Sequence, residues 1–117
     1  MREKKIIVYE LNEVPRRLID LYINLYPNSF LAKFIRDGAL LNTITKDEGE
    51  LHPWSTWPSV HRGVYNSLHK IKFLNQDLTY SKQYKPIWEI LSDNGLKVGI
   101  FGSLQSYPPI KNKNYKF

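Results

Sequence analysis

No cysteine occurs anywhere in the 117 residues, which excludes disulfides, thiolate metal sites and a cysteine nucleophile. Long hydrophobic runs are also missing, and nothing approaches the ~20 apolar residues needed to cross a bilayer. The apolar stretch Ile6-Ile7-Val8 is soon interrupted by Glu10. It is too short for a signal-peptide centre and no small-residue cleavage site follows it. These absences make the cytoplasm the expected location and leave no membrane partner. One more scarcity bears on chemistry: the chain has no Asp, Glu or His after Asp93.

What is present suffices for a folded domain. Hydrophobic residues make up 42% and aromatics 14%, which argues against disorder of the whole chain. The formal net charge is +6 with a pI near 9.5, and such an excess favours anionic ligands. The basic residues are scattered, however, and their densest group lies in the polar tail Lys111 to Lys116. Without a recognisable module, nucleic acid is not the expected partner.

Hydrophobic patterning predicts an alternating architecture. The β-branched run from Lys4 to Tyr9 suggests a buried strand with Glu10 at its exit. Pro15 opens a helix on which Leu18, Leu21, Tyr22 and Leu25 share a core-facing side, and Pro27 stops it. Asn28 or Ser29 caps a second helix, with Leu31, Phe34 and Ile35 on one face and Gly38 at its end. Ala39 to Thr45 suggests a short strand, residues 46–55 an acidic loop, and Thr56 to about Tyr65 a helix weakened by Gly63. Asn66 to Gln83 is expected to be irregular. Pro86 opens a helix with Ile87, Ile90 and Leu91 on one face, Asn94-Gly95 closes it, and Leu96 to Phe101 forms a further strand. The order β-α-α-β-α-α-β implies an α/β fold, α/β/α layered with a mostly parallel sheet, in a single partial domain over 1–117 whose polar tail is 106–117.

In such sheets ligands bind beyond the carboxyl ends of the strands, at Glu10 to Glu13, the Thr56 loop and Gly102-Ser103. Glu10 and Asn12, two residues apart in extended chain, would point the same way and offer two oxygens to a divalent cation. The segment Pro53-Trp54-Ser55-Thr56-Trp57-Pro58-Ser59 sets hydroxyls between tryptophans and prolines at a helix start. As N-cap, Thr56 would stand beside unpaired N–H groups at the positive end of the helix dipole, suited to attack on phosphorus. Equally, Thr56 can serve only as a cap. His61 and His69 are potential metal or phosphate partners, or simply hydrogen-bonded histidines. Trp54 and Trp57 either fill a core or wall a pocket. Asp47, Glu48 and Glu50 resemble a solvated charge run, although their loop could fold over a cation.

These residues together resemble the alkaline phosphatase superfamily, in its type I phosphodiesterase and nucleotide pyrophosphatase branch. That family ends its first strand in an acidic metal ligand and later presents a Thr or Ser nucleophile in a loop like P-x-x-T-F-P-N-H. Here residues 53–59 are similar to that loop, Gly63 and His69-Lys70-Ile71 to the glycine and His-Gly-Ile that follow, and Val98 to Ser103 to the next core strand. Departures are Glu10 where an Asp-Gly context is usual, His61 shifted by one position, and Lys70 in place of glycine.

The resemblance implies Thr56 as nucleophile, metal contacts from Glu10, Thr56 and less readily Asn12, and substrate contacts from Ser55, Trp57 and His61. It implies two divalent cations, zinc in most members, about 4 Å apart, and a phosphate-ester small molecule as substrate. Two such ions need roughly six protein donors, most of them from later strands in the family. The chain is therefore expected to be the amino-terminal segment of a larger hydrolase, inactive or nearly so alone. The competing expectations are a non-catalytic α/β binding module with a basic surface, and a degenerate remnant.

Overall fold

The computed structural model describes residues 5–106, and these fold as short helices joined by loops. The chain divides into two compact units, Met1–Thr43 and Ile44–Phe117.

In the first unit α1 spans Arg16–Leu25 and α2 spans Phe30–Asp37. Pro15 precedes α1 in extended conformation, a position that costs no backbone hydrogen bond. Arg16 pairs with Asp20 one turn on at 2.8 Å and also reaches Asn42 Oδ1 at 3.1 Å. Ser29 is the cap of α2, its Oγ accepting the Ala32 N–H at 3.2 Å. A Cβ on Gly38 would stand 2.9 Å from the Phe34 carbonyl oxygen, so close approach is what demands glycine there. The apolar stripes are not covered. No residue of α1 is buried, and only Ala32 is buried on α2.

The second unit contains α3 at Pro53–Arg62, α4 at Asn66–His69, a 3-10 turn at Tyr80–Gln83 and α5 at Ile87–Asp93. Helix α3 packs on α4. Gly63 ends α3 in the left-handed region, φ 64°, and donates its N–H to the Ser59 carbonyl. The side of α5 that turns inward carries Trp88 and Ser92, while Ile87 and Ile90 stay exposed. Among the described residues of this unit Ile71 and Trp88 are the buried hydrophobics, and Ser55, His61, Asn66, His69, Ser81 and Ser92 are buried with them. Its centre is polar.

The α/β expectation is therefore corrected. Among the described residues there is no sheet: Lys5 to Tyr9, Ala39 to Thr45 and Leu96 to Phe101 run without ladder partners, and Val98 alone makes an isolated bridge. A strand exists only through its neighbours. These β-branched runs have the composition but not the pairing, and Ile7 is 91% exposed and Ile44 92%. Lys4 and the tail beyond Ser106 lie outside the described residues. No described helix is long and apolar enough to cross a membrane.

Candidate functional site

Helix α3 begins three residues earlier than its sequence suggests. His52 is the cap residue and Pro53 the first helical position, which leaves Thr56 at the end of the first turn. The consequence is electrostatic. Pro53 has no N–H, and the N–H groups of Ser55 and Thr56 both point at the His52 carbonyl, each at 2.9 Å. Thr56 is thus not the cap, and its own N–H and that of Ser55 are paired. Its own Oγ donates back to the same carbonyl at 3.1 Å, and the side chain is half-buried.

The other two hydroxyls of α3 enter a polar cluster that joins three elements. Ser59 Oγ donates to Asp47 Oδ2 at 2.6 Å and lies 2.8 Å from His69 Nε2. Asp47 Oδ1 accepts the backbone N–H of Asn66, the first residue of α4, at 2.8 Å. The Asn66 amide pairs with the backbone of Glu48 in both directions, accepting its N–H at 3.0 Å and donating to its carbonyl at 2.8 Å. It also reaches Ser55 Oγ at 3.5 Å. His69 is fully buried and its Nδ1 accepts the Ile71 N–H at 2.9 Å.

Burial drives the His69 pKa down to about 4, with nearby Arg62 adding to the fall and Asp47 opposing it. Arg62 is itself drawn below its ordinary value by burial, which the charge of Glu89 partly offsets. Its buried Nε and Nη1 have no hydrogen-bond partner among the described residues. Burial raises Glu89 above the usual carboxylate range, against the pull of Lys85 and Arg62.

The proposed substrate contacts separate into two groups. His61 and Trp57 stack at 5.7 Å, and His61 meets the edge of Trp88 on α5 at 4.8 Å, which buries the imidazole between aromatic rings. His52 stacks on Trp54 at 4.5 Å and lies 3.2 Å from Glu50. Ser55 is buried towards Asn66. None of these side chains hydrogen-bonds Thr56.

Glu10 and Asn12 belong to the first unit, both exposed, and Asn12 sits in a turn with Glu13 at φ 56° rather than in extended chain. Among the described residues no three His, Asp or Glu side chains gather as a metal site. The donors that the described residues bring together do not make up two zinc sites, which need about four ligands each. Ser103 lines a cavity of about 660 Å³ with Leu74, Asp77, Lys82 and Ser106, and no residue of α3 lines it.

Asp47, Ser59 and Asn66 are the residues that the sequence pattern concealed. Asp47 looks like part of a solvated acidic run, yet it is half-buried and bonded twice. The available signal was an acidic residue free to cap the start of α4, a pattern usually read over a few residues rather than across 19. No family model, curated protein or solved structure matches the chain.

Proposed function

We propose that the chain is the nucleophile-bearing segment of a metal-dependent phosphoester hydrolase, with Thr56 as nucleophile and a phosphate-ester small molecule as substrate. The observation that carries this is the contrast among the hydroxyls of α3. Ser55 is buried, and of the two half-buried hydroxyls Ser59 is held by Asp47 and His69, whereas Thr56 gives its proton only to a backbone carbonyl. That bond can be exchanged without leaving a buried charge. The motif in residues 53–59, with its similarity to the alkaline phosphatase superfamily, supports the same residue.

In the reaction Thr56 Oγ forms a bond to phosphorus as the ester oxygen leaves, and the threonine proton is lost to solvent or a base. Water then cleaves the phosphothreonine. Zinc, the metal the resemblance implies, would need donors beyond those the described residues bring together, so no step is assigned to it. The cytoplasm is the compartment we assign, on the cysteine-free composition.

A basic binding surface is less well supported. Residues 5–106 carry 12 Lys and Arg against 10 Asp and Glu, so most of the +6 excess lies in the terminal segments.

The test is trapping. The 117-residue chain is incubated with dinitrophenyl phosphate and zinc, quenched in acid and mapped by mass spectrometry. The expected result is slow, substoichiometric phosphorylation of Thr56 without sustained turnover, abolished in Thr56→Ala. Absence of an adduct, or one on Ser55 or Ser59, overturns the proposal.

A further inference from the structure

A serine, a histidine and an aspartate in mutual contact would ordinarily suggest a second nucleophile at Ser59. The direction of the hydrogen bonds argues otherwise. The Ile71 N–H occupies His69 Nδ1, so the neutral ring carries its proton on Nε2 and donates it to Ser59 Oγ. A general base must instead turn a lone pair towards the hydroxyl it activates. The Ser59 proton goes to Asp47 Oδ2, and Asp47 Oδ1 is occupied by the Asn66 N–H. Each member is satisfied. The cluster is built to hold position.

What it holds is the rotation of α3. Ser55 and Ser59 lie one turn apart on the face bonded to the acidic loop and α4: Ser59 to Asp47 and His69, Ser55 to Asn66. Asn66 clamps that loop by pairing with both backbone groups of Glu48. With that face fixed, Thr56, one position beyond Ser55, is rotated about 100° away, as the helical repeat of 3.6 residues requires. There its hydroxyl meets only the His52 carbonyl. We infer that Asp47, acting through Ser59, is the positioning residue that fixes the rotational register of α3 and so keeps Thr56 off the bonded face. This rests on the assignment of Thr56 as nucleophile.

The experiment compares the full chain with Asp47→Asn, Ser59→Ala and Ser59→Thr, all shown to match its far-ultraviolet circular dichroism. Asparagine turns one acceptor of Asp47 into a donor, so either the Asn66 N–H loses its acceptor or Ser59 must give up its charge-assisted donation and turn its proton to the longer contact with the Ser55 carbonyl at 3.4 Å. Dinitrophenyl phosphate trapping at Thr56 should fall about tenfold or more in Asp47→Asn and Ser59→Ala, the scale of one charge-assisted hydrogen bond. Ser59→Thr keeps the hydroxyl and should recover the wild-type yield. Nitrogen chemical shifts of His69 in the wild type should report a proton on Nε2.

The outcomes are distinguishable. Unchanged trapping in Asp47→Asn and Ser59→Ala overturns the positioning role and leaves Thr56 as nucleophile. Loss in Ser59→Thr equal to that in Ser59→Ala, or a proton on Nδ1 of His69, also overturns the positioning role alone. A wild-type chain that forms no adduct overturns both.

Discussion

At the residue scale the cluster around Asp47 sets the main energetic stakes. Asn66→Ala would strand both backbone groups of Glu48 and one acceptor demand of Ser55, at a cost of about 2–3 kcal/mol in urea unfolding, the penalty for unpaired partly buried polar groups. His69 makes stability depend on acidity. Its folded-state pKa of about 4 lies below the ordinary 6.5, so between those values the unfolded chain binds a proton that the folded chain refuses. Stability should therefore be constant with respect to this residue above pH 6.5 and fall as pH drops towards 4. His69→Gln should flatten that part of the profile, measured as urea midpoints across the range. Below about 4 the folded ring also protonates, and a new Nδ1–H would confront the Ile71 N–H and break the cluster. None of this could be read from the sequence, because a buried, bonded Asp47 and a solvated one look alike in an acidic run. Thr56 was legible as a hydroxyl on α3, but its surroundings were not. A start at Pro53 rather than Thr56 turns a cap among open N–H groups into a first-turn residue bonded to His52.

At the scale of elements, punctuation is legible in the sequence and pairing is not. Pro15, Ser29, Gly38, Pro86 and Asn94-Gly95 bound the helices near where local chemistry places them, since caps and prolines act over four or five residues. Ser29→Ala should accordingly cost about 1 kcal/mol, and a change in thermal midpoint would measure it. Gly63 permits a comparable prediction. Its φ of 64° leaves open space for a Cβ, so Gly63→Ala should cost about 1–2 kcal/mol from backbone strain alone, with no loss of packing. The expected strands failed for the opposite reason. Ile6-Ile7-Val8 and Leu96 to Phe101 have strand composition, but a ladder depends on residues remote in sequence, and propensity cannot supply them. On α5 the periodic Ile87 and Ile90 stay exposed, and it is Trp88 that turns inward against His61.

For the whole molecule, the balance of burial decides how firmly the fold is held. Among the described residues Ala32, Ile71 and Trp88 are the buried hydrophobics, while Ile6, Ile7, Phe30, Ile44 and Phe101 are each more than 80% exposed. Complete burial of a large apolar side chain contributes about 1.5–3 kcal/mol, whereas ordering each residue's backbone costs about 1–2 kcal/mol. Two large side chains and an alanine cannot offset that cost over many residues, and the half-buried remainder must do most of the work. The polar cluster adds specificity rather than a large net gain, because each of its bonds replaces a bond to water. Unfolding should thus expose little additional surface. The dependence of stability on urea should be shallow, below ~1 kcal/mol per molar, and the thermal transition broad rather than sharply cooperative. The exposed apolar faces should bind anilinonaphthalene sulfonate strongly under native conditions. A steep, two-state urea transition without dye binding would mean that these faces are covered in solution, and that the apolar stripes of α1 and α2 have found the partners their spacing calls for.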